Sequence, residues 1–201
     1  MEPEDADAVL LASGFSRRFG NKDKLLADFR GKALARHTLD LVSGLGCFRG
    51  IFFVAAAEGV INLASGLPVT IVRNKHPERG MRESVRLGLE AAGNSGYYMF
   101  FPCDQPLLDA GTVMRILEAR KPDCIVEPRR GGKPGNPCVF SAAFRAELLS
   151  LEEGGRPRDV KARHPEALVP VEIPDPLALA DIDDGETLRY ISMKGGFYAA
   201  E

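Results

Sequence analysis

The sequence predicts an α/β protein built on a doubly wound, mainly parallel sheet in three layers. Short apolar runs alternate with segments of helical periodicity over the first two thirds of the chain. The run over 97–101 is bulky and apolar, and the alternation as a whole suits a mainly parallel sheet covered on both faces. The chain has 201 residues, 45% of them hydrophobic, enough to bury one substantial core. Strand–helix alternation of this kind implies βαβ units with right-handed crossovers.

Taken in order, Ala8–Ala12 reads as a buried strand, and over 33–45 Leu34, Thr38, Leu41, Val42 and Leu45 share one helical stripe that Gly46 can stop. Residues 51–55 form a β-rich second strand, 59–64 a short helical stretch and 69–73 a third strand. Over 81–92, Val85, Leu89 and Ala92 recur at helical spacing. Residues 97–101 give a fourth strand, Asp109 can cap a helix that turns Val113, Ile116 and Leu117 inward, and 124–127 is a fifth strand. After Pro128 come the Gly/Pro-rich stretch 129–137, a short strand at 138–140, a helix around 142–151, a basic segment, a strand at 168–173 and a last helix near 186–191. We read residues 1–201 as a single domain, with a nucleotide-binding half at about 8–127 and an acceptor-binding half at about 128–192.

Charge narrows the function. Lys plus Arg number 26 against 28 Asp plus Glu, a net charge of -2, which argues against wrapping nucleic acid. Any bound anion is expected to be small and held locally. The four cysteines (Cys47, Cys103, Cys124, Cys138) contain no C-x-x-C pair, so reduced thiols in a cytoplasmic protein are expected rather than a zinc site or disulfide framework. The acidic start lacks a basic leader, and no apolar stretch approaches the ~20 residues of a membrane span.

The segment LLASGFSRRFGNKDKLL, residues 10–26, concentrates positive charge behind the first strand. In doubly wound sheets ligands sit beyond the carboxyl ends of the strands. Ser13, Gly14, Ser16 and Gly20 are small enough to let backbone close on a ligand, and Gly14 can take a positive φ. Exposed N–H groups of such a turn make an anion nest, to which Arg17, Arg18, Lys22 and Lys24 add charge. The pattern describes a triphosphate cradle, with a solvated basic turn as the alternative. Neither G-x-G-x-x-G nor a Walker loop fits the glycine spacing.

The run L-A-S-G-F-S-R-R-F-G from Leu11 to Gly20, followed by Lys24, is similar to the signature of the MobA-like nucleotidyltransferases, L-A-[AG]-G-x-S-x-R-[MF]-G and then lysine. The resemblance implies a Rossmann-like nucleotidyltransferase fold whose loop wraps the nucleotide phosphates. It implies nucleotide contacts from Leu11, Ala12, Ser13, Gly14 and Ser16, with Arg18 on the phosphates and Lys24 near the reacting phosphorus as catalytic residues. Arg17 fills a variable position.

A second constellation, YYMFFPCDQPLLD (97–109), ends an apolar strand on Asp104 between two stiffening prolines. Magnesium takes hard oxygen ligands, one or two of them carboxylates. A turn aspartate bonded to nearby backbone is the alternative. D-Q-P-L-L is similar to the family's second motif, which implies that Asp104 binds the catalytic metal, Mg²⁺. In LADIDDGETL (179–188), Asp181 and Asp183 share one face if the segment is extended. The resemblance adds both as metal ligands, although Asp184-Gly185 stands where Thr-Pro is usual, and Asp183 or Asp184 can instead cap the last helix.

Three weaker matches follow. ERGMRESVRLGLEAA (78–92) resembles G-x-x-x-S-[LI]-x-x-G-[LI], implying Gly80 and Ser84 as nucleotide-binding, with Gly88 for close packing. GGKPGNPCVF (131–140) resembles the acceptor-side G-x-x-G-[HN]-P-V, pointing to Gly135 and Asn136, while Arg129, Arg130 and Lys133 either hold an acceptor phosphate or form a hydrated loop. EGGRPRDVKARH (153–164) loosely resembles G-x-R-x-L-L, adding Arg156 and Arg158 on the acceptor. His37, His76 and His164 have no spacing that indicates a metal site or triad.

The implied reaction is Mg²⁺-dependent transfer of NMP from a nucleoside triphosphate to an acceptor phosphate with release of pyrophosphate. Ser13 and Asp-Gln-Pro bring the chain nearer the cytidylyl branch, which implies CMP from CTP, a molybdopterin-type acceptor and a molybdenum hydroxylase apo-enzyme as downstream partner. Guanylyl or other NMP transfer to a different phosphate acceptor is the first alternative. A non-catalytic escort for the finished cofactor is the second.

Overall fold

A computed structural model describes residues 5–14 and 23–194. Its seven-strand path has the order β10-β7-β9-β6-β1-β4-β5, and a short β8 adds to β7. The strands are β1 (Ala6–Ala12), β4 (Ile51–Ala55), β5 (Thr70–Arg73), β6 (Tyr97–Pro102), β7 (Ile125–Arg130), β8 (Lys133–Pro134), β9 (Cys138–Ser141) and β10 (Leu168–Glu172). β2 (Asp28–Phe29) and β3 (Lys32–Ala33) form a separate hairpin. Pairing is parallel except at β8 and β9, and β9 runs antiparallel between β6 and β7. The sheet is therefore mainly parallel, as expected.

β1 is almost wholly buried because both its faces are covered. Ala8, Leu10 and Ala12 enter one core, with Ala35, Leu39 and Val42 of α1 (Leu34–Gly44) and Val113, Ile116 and Leu117 of α4 (Ala110–Glu118). Val9 enters the opposite core, with Val85 and Leu89 of α3 (Met81–Ala92), Leu148 of α5 (Arg145–Leu149) and Val160 of α6 (Pro157–Arg163). This two-residue alternation across the strand generates the three layers. α3 can lie this close because Gly88 has no Cβ: one built there would sit 2.4 Å from Val9 Cγ1. A small third core joins Phe29 and Leu34 to Ile182 and to Ile191 of α7 (Gly185–Lys194).

Several boundaries differ from the sequence reading. The short helical stretch is α2 (Glu58–Ile61) continued by a 3₁₀ turn at Asn62–Ala64. The expected helix over 142–151 is a 3₁₀ turn, Ala142–Phe144, followed by the shorter α5. The basic segment before β10 contains α6, started by Pro157 at a position where its missing N–H costs nothing. Pro134 and Lys133 of the Gly/Pro stretch fold back on β7 as β8. Asp109 does cap α4: its carboxylate accepts from Thr112 N at 2.8 Å. All four cysteines are free and buried. Among the described residues, no helix is long and apolar enough to cross a membrane.

Candidate active site

The chain steps from β1 to β4 on one side and has β6 on the other, so a crevice opens at the carboxyl ends of β1 and β6. Their register pairs Leu11 with Pro102, which sets Ser13 and Gly14 beside Cys103 and Asp104. A cleft of about 850 Å³ opens there. It is lined by Leu11, Ser13, Gly14, Lys24, Gly80, Ser84, Asp104, Gly135, Asn136, Arg156, Arg158, Asp181 and Asp183 among others. Residues drawn from six separate sequence segments thus share one wall system.

Lys24 is the centre of its charge. Asp23 caps the 3₁₀ turn Lys24–Leu26 by accepting from Leu25 N, and Leu25 packs into the core, which leaves Lys24 to the cleft. The ammonium donates to Asp104 Oδ2 at 2.7 Å, to Asp183 Oδ1 at 3.1 Å and to the Ile182 carbonyl at 3.2 Å. Burial works against its charge, but Asp104 and Asp183 outweigh burial and hold the lysine above its usual range. It is therefore an ammonium at neutral pH.

The C-terminal strap is extended, so Asp181 and Asp183 reach the cleft while Ile182 between them enters the third core. Ile182 N donates to the Asp104 carbonyl at 2.9 Å, fixing the strap to the loop after β6. Asp184, not Asp183, caps α7, accepting from Thr187 N at 2.7 Å. Burial, and next the Asp104 charge, push the Asp181 carboxyl up to about 6, against a 2.9 Å hydrogen bond from Gln105 Nε2.

These carboxylates fit a hard divalent cation in part. Asp104 Oδ1 is buried and has no hydrogen-bond partner among the described residues, an orphaned acceptor that a cation would satisfy. No three His, Cys, Asp or Glu side chains among the described residues are gathered into a ready-made metal cage. That is compatible with Mg²⁺, which draws much of its shell from phosphate and water.

On one side of the cleft, Gly80 takes φ +76 and ψ −163 at the start of α3, a conformation a side chain would strain. Ser84 is buried, and its hydroxyl accepts from Asn74 Nδ2 at 3.2 Å. On the other, Gly135 and Asn136 lead into β9, and Arg156 and Arg158 flank the first residue of α6.

Some expectations fall elsewhere. Ser16 and Arg18, with Arg17, Gly20 and Lys22, lie outside the described residues. Ala12 does not line the cleft; its short side chain is buried in the core beneath it. Gly14 does not use a positive φ, and a Cβ there would meet nothing within 4 Å among the described residues. His37, His76 and His164 pair with Phe29 O, Glu78 and Glu147, and none lines the cleft. The sequence reading passed over Lys161 and Met81, which both line it. Recognising Pro157 as a helix start would have placed Lys161 one turn later on the face shared with Pro157.

The arrangement can therefore bind a polyanion beside a carboxylate-rich floor. It offers no base other than carboxylates among the described lining residues, and burial pushes the Cys103 and Cys138 thiols up, away from thiolate.

Comparison with known proteins gives the family. A model of the MobA-like NTP transferase domain matches residues 8–168. A molybdenum cofactor guanylyltransferase of Ralstonia pickettii is 29% identical over 205 residues, covering 94% of this chain and 96% of that one. One from Shewanella baltica is 32% identical over 159 residues, covering 74% and 76%. The solved structure of a nucleotidyl transferase from Methanothermobacter thermautotroptrophicus superposes with a TM-score of 0.83 at 23% identity, covering 96% and 97%; it shares the fold.

Proposed function

Since the chain belongs to the MobA-like NTP transferase family and is a nucleotidyltransferase, we propose that it moves GMP from GTP to the phosphate of a molybdopterin-type acceptor, releasing pyrophosphate. The observation that carries this reading is the Lys24 ammonium held between Asp104 and Asp183 in a cleft of nucleotide size. Guanine is favoured over the cytosine expected from the sequence because the curated relatives are named guanylyltransferases.

In this reading an acceptor phosphate oxygen attacks the α-phosphorus in line. The new P–O bond forms as the bond to pyrophosphate breaks. The attacking group is already an anion, so no general base is required, and positioning and charge neutralisation are the work. Lys24 supplies a fixed positive charge where the phosphates converge, and the backbone at Ser13–Gly14 and the start of α3 orient the nucleotide. Asp104, joined by Asp183 or Asp181, would hold a divalent cation, expected as Mg²⁺, which neutralises phosphate charge when bound.

The test is pyrophosphate release with molybdenum cofactor as acceptor and GTP, CTP, ATP or UTP in parallel, with and without Mg²⁺. Magnesium-dependent release, fastest with GTP, is the expected result. Preference for CTP would restore the cytidylyl reading. Cofactor binding without release from any nucleotide would make the protein an escort.

A further inference from the structure

The acceptor side of the cleft contains a cation that none of the motifs above assigns. Lys161, on α6, lines the cleft with only 12% of its side chain exposed. Its ammonium donates to Glu127 Oε2 at 2.7 Å and to Cys138 Sγ at 3.4 Å. An ammonium has three donors, so among the described residues these partners leave one over. Glu127 is itself buried, on β7, and its other oxygen accepts from Arg129 Nε at 3.1 Å. One carboxylate therefore serves two cations, and the cluster keeps a net positive charge.

A buried charge is costly unless fully paired. Glu127 and Cys138 outweigh the burial of Lys161 and keep it an ammonium, and the open side of that ammonium is the cleft. The contrast with the floor is direct. Around Lys24, among the described residues, Asp104, Asp181 and Asp183 make three carboxylates to one cation. Around Glu127, two cations meet one carboxylate, with Arg156 and Arg158 lining the same side.

Resting on the acceptor reading above, we infer that Lys161 binds an anionic or strongly polar oxygen of the acceptor, and that Glu127 acts as a positioning residue that holds the ammonium against the cleft wall. Arg129, about one third exposed, pairs with the other oxygen of Glu127 and adds a second cation to the cluster.

The test compares the full-length wild type with Lys161→Met and Lys161→Arg, measuring pyrophosphate release while cofactor and GTP are varied in turn. Loss of a charge-assisted hydrogen bond should raise the acceptor KM about tenfold or more in Lys161→Met, with the GTP KM unchanged and partial recovery in Lys161→Arg. An unchanged acceptor KM in a folded, active Lys161→Met protein would overturn the inference. If Lys161→Met does not fold, amine-reactive labelling of the unaltered protein decides it: molybdenum cofactor should protect Lys161, read by peptide mass spectrometry, and equal labelling overturns the proposal. If the wild type releases no pyrophosphate with any nucleotide, the catalytic reading fails, while the same protection measurement still decides the role of Lys161.

Discussion

Lys24 Nζ lies 2.7 Å from Asp104 Oδ2, a contact made across 80 residues of chain. It brings the loop after the first strand onto the loop after the sixth. Removing either partner has a different consequence. Lys24→Ala takes away a preorganised positive charge, and kcat for pyrophosphate release should fall roughly 10²–10³-fold. The loss should appear in kcat more than in the nucleotide KM, because charge builds on the phosphates in the transition state.

Asp104→Asn keeps the size of the side chain and removes the charge on which the orphaned Oδ1 depends. We expect it to weaken divalent-cation binding, measured by Mn²⁺ titration with electron paramagnetic resonance, and to lower turnover at every Mg²⁺ concentration. Wild-type turnover in Asp104→Ala would remove Asp104 from the mechanism.

The strap that presents Asp183 is anchored by Asp184 at the head of α7. Asp184→Ala removes a helix N-cap, so unfolding stability should drop by about 1 kcal/mol, seen as a lower thermal midpoint. If the midpoint does not move, α7 is not what secures this strap.

Much of this was legible from residue pattern because the physics is local. Continuous apolar runs gave β1, β4 and β6, and a two-residue step placed Asp181 and Asp183 on one side of an extended segment with Ile182 opposite. What stayed hidden depends on partners distant in sequence. Nothing around Lys161 foretells Glu127, 34 positions earlier, as its counter-ion, because the pair exists only once α6 is laid over β7. The separate β2–β3 hairpin was missed for a similar reason: its two-residue strands carry no periodicity, and Phe29 is explained only by the third core that Ile182 and Ile191 complete. Of the two aspartates that pattern allowed as the cap of α7, it is Asp184, because an aspartate directly before Gly185 has its carboxylate at the right distance from Thr187 N.

Gly88 supplies a test of packing independent of the site. A methyl group added there must displace Val9, which has no exposure to retreat into. Gly88→Ala gains helix propensity but overpacks the contact between α3 and β1. Overpacking typically costs ~1–3 kcal/mol, so we expect net destabilisation in chemical denaturation, relieved in the double variant Gly88→Ala/Val9→Ala.

His164 yields a pH prediction with a definite sign. The hydrogen bond to Glu147 at 2.7 Å raises its pKa above the ordinary 6.5, opposed next by desolvation and assisted by Glu166. A histidine whose folded pKa exceeds its unfolded one stabilises the fold fully below the unfolded value. That contribution is lost as pH rises through the folded pKa. Stability measured from pH 5.5 to 8.5 should therefore contain a decline that begins near the ordinary histidine pKa, about 6.5, and is absent in His164→Gln. Nuclear magnetic resonance titration of the His164 ring should show the raised pKa directly, and Glu147→Gln should bring it back down. Because Glu147 also accepts from Arg163 Nε at 2.6 Å, Glu147→Gln should cost more stability than His164→Gln at pH 8.5, where the histidine is largely neutral.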